Sequence, residues 1–274
     1  MIINTNAAAE AAIYNLDKTN VNLKRSLTRL SSGLRINSAQ DDAAGLAVSL
    51  KLSAAIRRTD SASANVGNAL SFLQSQDGVL AAAGSILDRM SELATLATDE
   101  STTTDDDREL YKTEFEKLAA QLTDFTEEEF NGIPLFSLNS DVLVVRTSEN
   151  GSQTTGITQV DLEAIAATVS GLTVNMTDAA LALTAVEDLD TEIQNLAVLR
   201  ATNGAQQSRL SFAQDILGVN RLNLEAANSQ IMDADLARES TEFAKHSIIA
   251  NAGVAMLAQA NMIPERAMKL LEFN

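Results

Sequence analysis

The sequence predicts a mainly α protein, a long antiparallel helical coiled-coil bundle with a small central β-hairpin region. Apolar residues, most of them leucine, recur at seven-residue spacing near both chain ends and on either side of the middle, as they do in helices that pack along seams. The 274 residues are 45% hydrophobic but only 4% aromatic, with no Trp, no Cys and 2 Pro, a balance that suits long helices packed by small and aliphatic side chains. Only between residues 140 and 160 does the apolar period fall to two, the period of a strand.

The first seam sets Ile13, Leu16, Asn20, Leu23, Leu27, Leu30 and Leu34 at alternating steps of three and four, with Asn20 as a polar layer. Ser31-Ser32-Gly33 loosens it. Ser38-Ala39-Gln40-Asp41 then reads as a helix start, with Ser38 as N-cap and Asp41 three residues on, and a helix through Leu46, Leu50 and Ser53 follows. From Val66 the seam runs at strict sevens through Leu73, Leu80, Leu87 and Ala94, which predicts a helix of about 30 residues or more. Thr102-Thr103-Thr104-Asp105-Asp106-Asp107 is a turn and an acidic helix start, and Tyr111, Phe115, Leu118, Leu122 and Phe125 form the next stripe. That helix ends near Phe130-Asn131-Gly132-Ile133-Pro134, where Asn-Gly and Pro both favour turns.

Val142-Leu143-Val144-Val145 alternates as a strand does, and Glu149-Asn150-Gly151 can turn a hairpin. After an Ala/Thr-rich stretch near residues 164–185 comes the longest seam. Leu189, Leu196, Asn203, Leu210, Leu217, Leu224 and Ile231 stand at sevens, with Leu199, Gln206, Ala213, Asn220 and Ala227 three residues on. A helix of that span is roughly 65–80 Å long and needs other long helices against it. Polar side chains at Asn203, Gln206 and Asn220, like Asn20, would fix register at some cost in stability. A last seam of Leu236, Phe243, Ala250 and Leu257 ends at Asn261-Met262-Ile263-Pro264, before a short tail.

Charge and chemistry exclude several function classes. The net charge is −17, unevenly spread: residues 1–58 hold eight basic against four acidic groups, net +4, whereas residues 77–129 hold four against fifteen, net −11. An acidic middle opposes nucleic-acid binding, which needs a basic face. No Cys means no disulfide scaffold, thiolate metal site or Cys nucleophile. The amino end has no basic stretch followed by a long apolar core, so no cleaved secretory signal is expected, and no apolar run approaches the roughly 20 residues of a membrane helix. His246 is the only histidine, which excludes a His-Glu-x-x-His zinc site. Asp41 and Asp42 are neighbours and point about 100° apart on a helix, so they do not share a proton. The acidic runs 105–107 and 127–129 lack calcium-loop spacing, and neither a phosphate loop nor a Gly-x-Ser-x-Gly elbow is present. Asn-x-Ser/Thr sequences occur at Asn150 and Asn175. No catalytic residue, cofactor or metal is expected.

Certain words in the sequence go further. Leu27-Thr28-Arg29-Leu30-Ser31-Ser32-Gly33-Leu34-Arg35-Ile36-Asn37-Ser38-Ala39, then Asp41-Asp42-Ala43-Ala44-Gly45, resembles the amino-terminal signature of bacterial flagellins, as does the opening Ile3-Asn4-Thr5-Asn6. Asp233-Ala234-Asp235, then Ala255-Met256-Leu257-Ala258-Gln259-Ala260-Asn261 with Pro264 and Leu270-Leu271, resembles their carboxy-terminal signature, and Phe130-Asn131-Gly132 matches the turn before the family's hairpin. Gln230 departs from the Arg that many members carry before the Asp-x-Asp segment. The middle has room only for the hairpin and its flanks, so a short form without the variable outer domains is expected.

The resemblance implies a structural, non-enzymatic subunit of the extracellular flagellar filament, a helical homopolymer exported by the flagellar type III apparatus without a cleaved signal. It implies that residues 1–40 and 236–274 form the inner helical layer, ordered on assembly, and that residues 41–235 form a helical rod domain with its β-hairpin near 140–160. The assembly seam is then Leu16, Leu23, Leu27, Leu30, Leu34, Leu236, Phe243, Val254 and Leu257. Implied partners are further copies of the chain, an export chaperone, the filament cap and the hook-filament junction proteins, with no nucleic acid and no membrane insertion. In flagellins recognised by the animal innate-immune receptor, an Arg and a Leu four residues apart and a Glu on the next helix form the recognised surface. Arg89, Leu93 and Glu114 are the matching positions, within Leu-x-Arg-x-x-Glu-Leu-Ala, and the i, i+4 spacing puts Arg89 and Leu93 on one helix face. The alternatives are a hook-filament junction protein, another secreted coiled-coil structural protein, or a generic intracellular coiled-coil adaptor. An enzyme inserted into such a frame would need a zinc motif and more chain.

Overall fold

The computed structural model describes residues 6–101, 103–137, 142–172 and 178–272, with side chains described as far as Met262 in the last stretch. The chain is 79% helical. Its elements run α1 (Ala7–Ser32), α2 (Ala43–Ala97), α3 (Asp105–Thr126), β1 (Glu129–Phe130), β2 (Ile133–Pro134), β3 (Val142–Arg146), β4 (Thr154–Thr158), α4 (Glu163–Gly171), α5 (Ala179–Met232) and α6 (Leu236–Glu272). They fall into two units, one of residues 1–55 with 223–274 and one of residues 56–222. Both α2 and α5 contribute to each.

The 56–222 unit holds the main core, and the heptads explain it. On α2, Val66, Leu73, Leu80, Leu87 and Ala94 are all fully buried, and on α5 Leu189, Leu196, Asn203, Leu210 and Leu217 are buried in the same way. The two helices run antiparallel. Asp60 pairs with Arg221 at 2.9 Å and Asp77 with Arg200 at 3.1 Å, while Gln214 donates to the Ser63 hydroxyl between them. Each buried leucine contributes about 1.5–3 kcal/mol, whereas these exposed ion pairs contribute about 0–1 kcal/mol each. The leucines therefore hold the pair together and the charges mainly set its alignment.

Of the expected polar layers, Asn203 is one. Its amide donates to the Leu73 carbonyl (3.1 Å) and to Gln76 Oε1 (2.7 Å), and its own oxygen accepts from Gln207. Gln76 in turn donates to the Leu135 carbonyl, tying the helix pair to the segment after β2. Gln206 is half-buried and donates to the Thr158 carbonyl on β4. Asn220 and Asn20 are exposed and layer nothing, because each lies off the line of buried residues on its helix.

Helix α3 begins with a capping box in which Thr104 and Asp107 bond each other's backbone N–H. Phe115 and Leu122 are fully buried, and Tyr111, Leu118 and Phe125 pack at the core's edge. Asn131 (φ 53°) and Gly132 (φ 75°) both adopt the left-handed conformation, so the turn closes a two-residue type I′ hairpin between β1 and β2, a strand pair the sequence pattern did not single out. The expected hairpin pairs β3 with β4 in the register Val142↔Thr158 to Arg146↔Thr154, with Gly151 at φ 69° in its turn. Residues 140 and 141 lie outside the described residues.

Several boundaries differ from the sequence expectation. The two runs before residue 98 fuse into one helix of 55 residues. That helix starts at Ala43 rather than at Ser38, because Asp42 Oδ1 takes the Gly45 N–H and so acts as the cap. The Ala/Thr-rich stretch contains α4 and the start of α5, whose alanines 179, 182 and 185 are buried. Helix α6 continues through Pro264 to Glu272 instead of ending there. A proline removes one backbone donor, and the remaining helical bonds can carry the chain past it.

Candidate assembly surface

In the unit formed by the chain's two ends, α1 and α6 lie antiparallel. Asn6 Nδ2 donates to the Ala260 carbonyl, Leu16 lies against Gly253, and Arg29 faces Glu239 at 3.7 Å. The side chains α1 turns inward are small or half-buried: Ala9, Thr19 and Ser26 are buried, with Leu16, Leu23 and Leu30 beside them. On α6 the matching positions are Glu239, Phe243, His246, Ala250, Gly253, Leu257 and Ala260. Small residues let the two backbones approach closely, so the seam here depends as much on Thr19, Ser26 and Gly253 as on leucines.

The expected assembly seam accordingly splits. Leu16, Leu23, Leu30, Leu34, Phe243 and Leu257 are half-buried. Leu27, Leu236 and Val254 are 55%, 52% and 57% exposed. Sequence reasoning placed Ile13, Asn20 and Leu27 on the packing line, but that row faces away from it, and the true second row is Ala12, Thr19, Ser26 and Gly33. A search for leucines overlooked a row of small residues.

From Ser247 to Met262, α6 carries no charged residue. Among the described residues, α1 is the helix it packs closely against. Large apolar groups remain uncovered: Tyr14 and Val21 on α1, and Ile248, Ile249, Met256 and Met262 on α6, with Ile248 69% exposed. Ser247, Asn251, Gln259 and Asn261 are the polar residues that interrupt this stretch. Contiguous apolar surface of this kind marks a protein contact.

The segment joining α1 to α2 is built from the signature residues noted above. Gly33 adopts φ 72° and ends α1, its N–H bonding the Arg29 carbonyl. Leu34 bridges Asp233, Ala234 N–H donates to the Gly33 carbonyl, and the Arg35 guanidinium donates twice to the Ile231 carbonyl. Ile36 is 1% exposed and lies close to Gly45, where a Cβ would come 2.7 Å from Ile36 Cδ1 and 2.5 Å from Asp42 Oδ2. A side chain there would have to displace the Asp42 carboxylate and the Ile36 δ-methyl. Asp41 gathers the N–H groups of Asn37 and Ser38 and the Ser38 hydroxyl. Burial pushes its carboxyl upward, but those donors and the nearby Arg29 charge outweigh it and hold the group below its ordinary value. Beside this turn is a polar cleft of about 590 Å³, lined by Arg25, Arg29, Arg35, Arg238 and His246 together with Asp233, Asp235, Glu239 and Glu242.

In the other unit, Arg89 Nε donates to Glu114 Oε1 and Arg89 Nη1 to Glu92 Oε2, both at 2.9 Å, and these hydrogen bonds raise the guanidinium above its ordinary value. Leu93 does not join them at the surface. It is 1% exposed within the core, in line with the buried Met90, Ala94 and Ala97, while Arg89 stands about 40° round the helix at the edge of that face. Among the described residues, no group of three or more His, Cys, Asp or Glu side chains converges as metal ligands would, and no helix is long and apolar enough to cross a membrane.

The family model of the bacterial flagellin N-terminal helical region matches residues 3–141, and that of the bacterial flagellin C-terminal helical region matches residues 186–271. A flagellin of Halalkalibacterium halodurans is 36% identical over 274 residues, spanning 99% of this chain and 100% of that protein. The 33 kDa flagellar filament core protein of Treponema phagedenis is 33% identical with the same coverage of 99% and 100%. A flagellin of Bacillus subtilis is 32% identical over 99% of this chain and 100% of its own length. Among solved structures, Bacillus cereus flagellin aligns with a TM-score of 0.50 and 27% identity over 56% of this chain and 88% of that one. A protein described as a flagellar hook-associated protein of Vibrio parahaemolyticus aligns at TM-score 0.63 over 70% and 100%, but at 17% identity, a likeness of fold alone.

Proposed function

This chain belongs to the bacterial flagellin family and is a structural subunit that self-polymerises into the extracellular flagellar filament used for swimming, and from that premise we propose how its two ends and its middle divide the task. Residues 1–40 and 236–274 form the inner helical layer of the filament, and residues 41–235 form the helical rod domain. The observation that carries this reading is the uncharged stretch of α6, whose Ile248, Val254 and Met256 remain more than half exposed although α1 covers one side. Neighbouring copies supply the missing apolar faces to these residues and to Leu27 and Leu236. Head-to-tail contacts that do not close into a ring then extend as an open helix.

An export chaperone has a reason to bind the same α6 surface before assembly, since uncovered apolar helix would otherwise aggregate. The filament cap and the hook-filament junction proteins meet it at the two ends of the polymer. Recognition by the innate-immune receptor is proposed through Arg89 and Glu114 alone, as Leu93 is buried. The chain is assigned no catalytic chemistry.

The test is salt-induced assembly followed by electron microscopy. The whole chain forms filaments, and a core lacking residues 1–35 and 236–274 stays helical and cooperative in melting yet forms none. Filaments of the truncated core would remove the assembly role of the ends.

A further inference from the structure

We propose that Met256 and Met262 are oxidation sites at which conversion to the sulfoxide blocks addition of the subunit to the filament, an inference that rests on the reading of α6 as an assembly surface. The chain has 7 Met and no Cys, so thioethers are its only sulfur groups. They differ sharply in access. Met90 is fully buried in the core, Met232 is half-buried, and Met256 and Met262 are 64% and 42% exposed on the uncharged stretch of α6.

A peroxide transfers one oxygen to the thioether sulfur. The O–O bond breaks, an S=O bond forms, the sulfur is oxidised by two electrons and the peroxide leaves as water. The flexible apolar side chain becomes a polar one with a strong hydrogen-bond acceptor. On the free subunit this costs little, because both residues face solvent. In the assembled filament the same acceptor sits among Ala252, Val254, Ala255 and Ala258, which carry hydrocarbon side chains. The one side-chain donor within a helical turn of both sulfurs is the Gln259 amide, so a single amide must serve both new acceptors in a dry contact. The penalty falls on the assembled state alone, which makes the pair a gate on addition rather than a lesion in the fold. Burial also works in reverse: once the subunit is incorporated, its sulfurs are shielded.

The experiment treats the full-length subunit with hydrogen peroxide and maps oxygen uptake by peptide mass spectrometry before adding it to filament seeds. Met256 and Met262 are oxidised while Met90 is spared, and the critical concentration for elongation rises about tenfold or more. Methionine sulfoxide reductase restores it. Met256→Leu with Met262→Leu, a volume-conserving exchange, assembles normally and no longer responds to peroxide. If that double variant assembles but loses elongation to peroxide as the native chain does, the inference is overturned while the assembly role of α6 stands. If Met256 and Met262 oxidise as fast in filaments as in subunits, the burial of α6 on assembly fails, and the gate fails with it.

Discussion

The α2–α5 pair of the 56–222 unit and the α1–α6 pair of the terminal unit are both antiparallel helix pairs with heptad spacing, yet they bury different things. The first closes over a continuous line of large aliphatic side chains with one satisfied amide network at Asn203. The second closes over Ala9, Thr19, Ser26, Gly253 and Ala260, and leaves Tyr14, Ile248 and Met256 in solvent. One pair is a finished core. The other meets its partner helix along a narrow seam and leaves most of its larger apolar groups uncovered, whereas in the first pair exposure of that size is confined to the outer side of α5, as at Phe212 (65%), Ile216 (61%) and Val219 (59%).

The comparison breaks if the finished core tolerates truncation. Leu73 is fully buried on α2, so Leu73→Ala should cost about 2–5 kcal/mol, the largest effect here, read from denaturant melts of the subunit. A loss below about 1 kcal/mol would mean that the heptad line is not what holds this unit. Next comes Asn203→Ala. It leaves Gln76 Oε1 without its donor and takes one of two bonds from the Leu73 carbonyl and from the Gln207 amide, which still meet each other at 3.4 Å, and a cost of about 1–3 kcal/mol follows. A melt unchanged from the native chain would show that water replaces the network.

How much of this was legible beforehand follows the same division. The seams Val66–Ala94 and Leu189–Leu217 could be read residue by residue, because large apolar groups at sevens announce themselves against polar neighbours. In α1 the same reasoning chose the row Ile13, Asn20, Leu27, since small buried residues such as Thr19 and Ser26 look like surface. The start of α2 differs for a related reason: the Ser38 N–H and hydroxyl both donate to the Asp41 carboxylate, half of a capping box closed within a turn, and nothing in spacing alone says that Asp42 caps the helix instead. Leu93 was placed at the surface from its distance to Arg89, although it also stands three residues after Met90 and six after Leu87, on the buried side.

Acid separates the two units less sharply. The Asp41 carboxyl, held below its ordinary value of 3.8, belongs to the turn that joins α1 to α2. Because the folded group is the stronger acid, its stabilisation is complete above the ordinary carboxylate range and is lost as the pH falls through the depressed value beneath it. Asp107, lowered by the Thr104 hydroxyl and N–H, behaves in the same sense at the start of α3. Amide exchange of residues 37–45 should therefore accelerate below about pH 4, and Asp41→Asn should show that looser turn already at neutral pH. Exchange in this segment that is independent of pH after correction for intrinsic rates would count against the Asp41 bonds.

The smallest change in folding should accompany Ile248→Ser. Ile248 is 69% exposed on α6, so the subunit loses almost no burial, and its melting should shift by less than about 0.5 kcal/mol. On the proposed assembly a neighbouring copy covers the same position, and burying an isoleucine there would contribute about 1.5–3 kcal/mol to each subunit added. At 1.4 kcal/mol for each factor of ten, the critical concentration for elongation should rise by about one to two orders of magnitude. Leu73→Ala gives the reverse pattern, a large loss in melting carried by a side chain already fully buried within the subunit. A variant of Ile248 that melts normally and elongates normally would mean that this face of α6 stays in solvent within the filament, and the separation of folding surface from assembly surface would then have to be drawn on α1 alone.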